Sequence, residues 1–436
     1  MIHPYMKAYL SEKIACRCGS VCRGIMALLV VVCSCLCMGG DLAEDWKTGD
    51  LWKQKKGRIS SHGWTFGDIQ LGEVVRDWKD EQEDAQLAAE GENDSGDLLR
   101  VTCMIYNKGD DGDIDKKTFD DKFNACVESL NAFIGKKGRN VQIPKSKTAV
   151  KVKAMQWRGE NGVLRLECAV TGSKKGQTME FIRLILAPDV ATLEKGGVSD
   201  KVGLRDLRAN VTKDDDGTVW IQNVPMVDQG GKGYCVPATV ARVFAYYGMD
   251  KVDMHSLAAA CGSDADSGTS LGKMRESLET LGRTFRVRIK SVSQPAGDHS
   301  DFIKDYNREA KRVGKSELPM PTCHESRPWF INIDQKLWLA VRAKKSSDVK
   351  KWMTPIRRHI DSGVPVLWSV FASGMYNREG REGGGAGGGH MRMIIGYNPV
   401  ENTIIYSDSW GNWAAKRVMT MAEAYSVTDA TYVLQP

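Results

Sequence analysis

Four residues in the second half of the chain have the types and settings that acyl-transfer chemistry requires. The stretch Pro225–Gly248 brings a polar, glycine-rich approach, Asp228-Gln229-Gly230-Gly231-Lys232-Gly233, up to Cys235. From there Val236, Val240, Val243, Phe244 and Tyr247 recur at helical spacing, and Gly248 closes the pattern as a C-terminal cap. Pro237 is compatible only with a first turn, which sets the helix start at about Cys235. A thiol there faces unpaired N–H groups and the positive end of the helix dipole, both of which favour thiolate. Gln229, on the turn six residues earlier, can return an amide to the same point. A nucleophile beside an amide donor suits attack on a carbonyl.

A lone cysteine in an apolar helix is more often a small core residue. The downstream sequence changes that balance. Gly389-His390-Met391-Arg392-Met393-Ile394-Ile395-Gly396-Tyr397 sets a histidine at the mouth of an apolar strand. Ile404-Ile405-Tyr406-Ser407-Asp408-Ser409-Trp410-Gly411 then brings an aspartate to the end of the next strand. Between Gly363 and the histidine, Val364–Phe371 reads as a further apolar strand, and Gly383–Gly389 as a mobile rim loop that could gate His390.

In this order and spacing the chain resembles the papain-like cysteine peptidases, over about Pro225 to Gly411. Asp408-Ser409-Trp410-Gly411 stands where many of them carry Asn-Ser-Trp-Gly, and the aspartate is similar to the bacteriocin-leader-processing (C-thirty-nine-like) branch. Val236 departs from the aromatic that often follows the nucleophile. The resemblance implies a helical half and an antiparallel β half, with Cys235 as nucleophile, His390 as acid and base, and Asp408 as orienter. It also implies Gln229 as oxyanion donor and Trp410 as a shield over the His390–Asp408 bond. Asparagine in relatives suggests that Asp408→Asn would be mild. The substrate implied is a peptide or protein. Transglutamination or amide hydrolysis of a cell-wall peptide on the same triad, and a non-catalytic envelope-binding shell, are the alternatives.

The rest of the chain must position these groups. Its 436 residues allow about two domains, and a net charge of +6 with bases and acids interspersed gives no nucleic-acid footprint. Basic residues up to Arg23 precede an apolar run, Ile25–Met38, too short for a membrane span and suited to a signal-peptide core over residues 1–40. Cys35 stands in a loose lipoprotein-like box, the one route to membrane contact, and the expected location is periplasmic, cell-envelope or secreted. Six of twelve cysteines fall in that leader; Cys103, Cys126, Cys168, Cys235, Cys261 and Cys323 follow it without C-x-x-C spacing, so neither a metal site nor a cofactor is expected.

Residues 41–217 read as a small α+β domain. Trp46, Trp52 and Trp64 are hydrophobic anchors, and Arg76–Asp97, with nine acids against two bases, is a solvated helix or loop. Leu98–Tyr106 reads as a strand, Asp110–Asp115 as a plain turn without the spacing of a calcium loop, and Phe119–Ile134 as a helix. Val163–Val170 alternates as a half-buried strand between Val150–Trp157 and Met179–Leu186. Ala187–Gly217 is the expected connection to a peptidase domain over 218–436. There Val252–Ala260, Ser267–Leu281, Phe302–Val313 and Asp348–Ile360 read as helices, and Arg283–Lys315 as a solvated insertion. His62, His255, His299, His324 and His359 have no partner motif.

Overall fold

The computed structural model describes residues 39–54, 61–78, 98–143, 150–173, 176–194, 204–249, 252–263, 268–269, 271–295, 300–320, 333–370 and 389–436. The leader with Cys35, the acidic stretch beyond Trp78, Cys323, His299, His324 and the glycine loop up to Gly388 lie outside them. The architecture is mixed helix and sheet, the α+β class expected.

The first half contains α1 (Leu42–Thr48), β1 (Val74–Trp78), β2 (Leu98–Asn107), α2 (Lys116–Ile134), β3 (Arg139–Gln142), β4 (Val152–Gly159), β5 (Gly162–Ser173) and β6 (Gly176–Ala187). The strands form one antiparallel sheet in the order β1-β2-β6-β5-β4-β3. One face of α2, with Phe119, Phe123, Cys126 and Leu130, closes a core that includes Trp46, Leu164, Leu166 and Leu184. Trp52 donates from Nε1 to the Asn161 carbonyl, an anchor as expected.

Three expectations change here. Arg76–Trp78 belongs to β1, because the ladder with β2 outweighs its polar composition. Asp110 sits in a one-turn helix, Lys108–Asp111, capped by Asn107. The strand expected to be half-buried is covered on both sides from Gly162 to Ala169. Its polar positions Arg165 and Glu167 are under protein because the second half of the chain lies over that face. Glu167 accepts from Arg183, which also reaches Asp253 at 2.9 Å.

The second half supplies β7 (Val211–Lys213), β8 (Val219–Ile221), α3 (Cys235–Tyr246), α4 (Met254–Cys261), α5 (Leu271–Phe285), β9 (Arg288–Ser293), α6 (Ser300–Arg312), α7 (Gln335–Arg342) and α8 (Ser346–Ile360). Then come β10 (Val366–Val370), β11 (His390–Asn398), β12 (Thr403–Ser407), β13 (Arg417–Thr420), α9 (Met421–Val427) and β14 (Thr428–Gln435). The eight-stranded antiparallel sheet runs β9-β14-β10-β11-β8-β7, with β12 and β13 continuing from β11. Because β7 pairs with β8 in this sheet, and Leu207 sits in its core, the connecting segment ends earlier than Thr218. Arg283–Lys315 is no solvated insertion: β9 pairs with β14, and Ile303, Tyr306 and Ala310 of α6 are buried.

Two glycines fix the frame around the site. Gly248 has φ +75°, and its N–H reaches the Ala245 carbonyl, ending α3 where the pattern indicated. At Gly396 a Cβ would come within 2.5 Å of Trp220, so only glycine lets β8 pair there with β11.

Candidate active site

Cys235 is the first residue of α3, half-buried, with Pro237 in the first turn. The preceding Tyr234 gives no side-chain cap, so the helix N-terminus keeps its positive end directed at the thiol. His390 opens β11, and Asp408 follows the last residue of β12. Antiparallel pairing of those strands, Met393 opposite Ser407, closes the sequence gap between them.

His390 Nε2 lies 2.7 Å from Asp408 Oδ1. That leaves Nδ1 for the Cys235 sulfur, with which the ring shares a hydrogen bond. The Met391 N–H also donates to the sulfur. Trp410 stacks on the imidazole, ring centroids 5.9 Å apart at 28°. Gln229 is buried beside them; its backbone N–H donates to the Ser409 carbonyl at 2.8 Å. One side-chain N–H of Gln229 donates to the Lys232 carbonyl at 3.2 Å, and Oε1 has no partner. The five site residues expected from sequence thus lie on one connected set of contacts.

Burial pushes the Cys235 thiol up, but the hydrogen bond and charge of His390 outweigh it and the net shift is downward. Burial alone would lower His390; the Asp408 carboxylate and the sulfur instead raise it to about 10. Asp408 is held down at about 2 against its own burial by His390, Arg392 and the Ser409 N–H. The other described cysteines go the opposite way. Burial pushes Cys126 up to about 11, and Cys103, Cys168 and Cys261 up to about 12. Thiolate is therefore favoured at one described cysteine, Cys235.

Two arginines complete the site, and neither was picked out from sequence. Arg392 Nε donates to Asp408 Oδ2 at 2.8 Å with both side chains buried. Period-two alternation puts Arg392 on the same side of β11 as His390, a signal that was available. Arg242 lies two turns beyond Cys235 in an otherwise apolar helix. It donates to the Pro225 carbonyl at 2.8 Å, to the Asp408 carbonyl at 3.1 Å and to the Ser407 hydroxyl. One guanidinium thereby ties the nucleophile's helix to the approach before Gln229 and to the aspartate's loop. Arg392 also gives Asp408→Asn a cost in stability, since the amide would remove the carboxylate charge to which this buried guanidinium donates.

The first half of the chain holds the loop between Gln229 and Cys235. Lys232 is buried and pairs with Glu73 at 3.0 Å and Asp110 at 2.7 Å, while the Tyr234 hydroxyl donates to Asn107. His255, expected to be without a partner, lies 3.5 Å from Glu73. Glu73 is held down at about 2 against its burial by His255 and Lys232. These partners are more than a hundred residues away in sequence, so no local pattern announces them.

Among the described residues no group of three His, Cys, Asp or Glu could hold a metal ion, and no helix is long and apolar enough to cross a membrane. Residues 322–432 match the model of the Peptidase_C39 like family. The chain resembles a C-thirty-nine-like cysteine peptidase. The matched stretch contains His390 and Asp408; Cys235 and Gln229 lie upstream of it and reach the site through α3 and its approach loop. Comparison with curated proteins gave no match.

Proposed function

We propose that this protein is an exported cysteine peptidase in which Cys235, His390 and Asp408 form the catalytic triad and Gln229 supplies an oxyanion donor. The observation that carries the proposal is the chain of contacts from thiol to imidazole to carboxylate, with Cys235 shifted down and His390 up. Together these shifts favour a thiolate–imidazolium pair. In support of a papain-like layout, α3 carries Cys235 while the sheet carries His390 and leads to Asp408.

The Cys235 thiolate attacks the peptide carbonyl carbon, and the carbonyl electron pair moves to oxygen. The Cys235 backbone N–H and the second side-chain N–H of Gln229 receive that oxyanion. As the C–N bond breaks, His390 Nδ1–H protonates the departing amine, leaving a thioester. His390 then takes a proton from water, whose oxygen attacks the thioester; collapse releases the acid and restores thiolate and imidazolium. Asp408 holds the ring through Nε2, and Trp410 covers one face of it.

Gln229→Ala separates oxyanion binding from thiol activation. Peptide turnover is expected to fall about 10²- to 10³-fold, while alkylation of Cys235 by a thiol-directed epoxide stays close to parental. Mapping of the epoxide to a residue other than Cys235 would sink the proposal.

Export rests on the basic segment, the apolar run Ile25–Met38 and the small residues before Asp41. The mature protein is expected to begin near residue 40. N-terminal sequencing of native material checks this, and an intact leader on cytoplasmic protein refutes it.

A further inference from the structure

A cavity of about 550 Å³ lies at the end of α3 remote from Cys235. The C-terminal turn of α8, the edge strand β9 and the segment leading into β7 enclose it. The Tyr246 hydroxyl, at the last residue of α3, donates to the Gly363 carbonyl between two lining residues, Ser362 and Val364. The twelve-residue α3, about 18 Å long, separates this end from the end that carries the thiol. Four basic side chains face the cavity: Arg208, Lys290, Arg358 and His359. None of the described lining residues is acidic.

Several exposed cations elsewhere meet a carboxylate one helical turn away, as in Lys53–Asp50, Lys117–Asp121, Arg275–Glu279 and Arg312–Glu309. Arg208, Lys290, Arg358 and His359 make no ion pair among the described residues. Two acids lie two residues from a lining base: Asp361, which the Tyr397 hydroxyl engages at 2.7 Å, and Asp206, which does not line the cavity. Burial, and after it the charge of Lys290, push His359 down. Two guanidinium groups and an ammonium around a concave surface suit the oxygens of a multiply charged anion. Pro355 and Val292 offer apolar surface to an attached organic group.

We propose that this cavity is a binding site for a phosphate-bearing anion, separate from the Cys235 site. It stands or falls independently of the peptidase reading.

The test uses the full chain carrying Cys235→Ala, so that no result depends on peptidase activity. Pyrophosphate is titrated at constant ionic strength while the His359 imidazole is followed by NMR. Bound anion is expected to keep His359 protonated to higher pH. Lys290→Gln and Arg358→Gln, both at exposed positions, are each expected to weaken binding about tenfold. In a parallel arm, flotation with vesicles of phosphatidylcholine alone or with phosphatidic acid distinguishes a lipid headgroup from a free phosphate. Binding in either arm that is lost in the Lys290→Gln, Arg358→Gln double variant supports the site and names the source. No binding in both arms, or binding that the double variant leaves intact, overturns it.

Discussion

At about pH 6 Cys235 is expected to react with an alkylating agent at least tenfold faster in the parent protein than in His390→Ala. The sign follows from the direction of each shift. The thiol is lowered from its ordinary value of 9.0, so thiolate persists on the acid side, where Cys103, Cys126, Cys168 and Cys261 stay protonated. His390 carries its charge up to about 10, which sets the alkaline limit of the ion pair. Removing the imidazole takes away the largest favourable influences on the thiolate and leaves burial, which acts against it. The alkylation profile of His390→Ala therefore moves to higher pH. A parent profile like that of an exposed cysteine, unmoved by the substitution, would return Cys235 to the status of a core residue.

Asp408→Asn is expected to cost about 3–5 kcal/mol of stability, well beyond the effect of a like-sized polar exchange. The reason is Arg392, whose buried guanidinium donates to Oδ2 and would face a neutral amide. Adding Arg392→Met removes the guanidinium that faces the amide, so the double variant should recover part of the loss, with a coupling of about 0.5–3 kcal/mol in denaturant unfolding. Acid titration gives the same contact a second readout. Asp408 is held down at about 2 from 3.8, so its contribution is complete above about pH 4 and disappears as pH falls through about 2. The double variant lacks that component. Strict additivity of the two substitutions would mean that Arg392 and Asp408 do not depend on each other.

How much was readable in the sequence depended on where each residue's partners lie. The start of α3 was legible because Pro237 and Gly248 are local signals. The apolar runs of β10 to β12 announced themselves because central strands are buried on both faces. The strand β14 was missed: Thr428, Asp429 and Thr431 look like a polar segment, yet all are buried because β9 and β10 flank them. Trp338 of α7 was missed with its helix; its Nε1 finds the Ser426 carbonyl, a partner no spacing rule could supply. In the site, the four expected chemical groups carried recognisable types and neighbours. Arg242, Arg392 and the Lys232–Glu73–Asp110 cluster act through contacts between distant segments. Their burial was unreadable until the sheets were assembled.

The position of β14 has a consequence for timing during synthesis. That strand lies between β9 and β10, and the Tyr247 hydroxyl donates to the Leu434 carbonyl 187 residues later. A ribosome that has already delivered Cys235, His390 and Asp408 has not yet delivered the strand that joins the sheet beneath them. The nascent polypeptide thus carries Cys235, His390 and Asp408 before it carries the whole frame that aligns them. Such long-range closure slows folding and leaves an unpaired β10 edge exposed in the interval. It also means that the His390–Asp408 contact and its neighbours are expected to settle late, after β14 has joined the sheet.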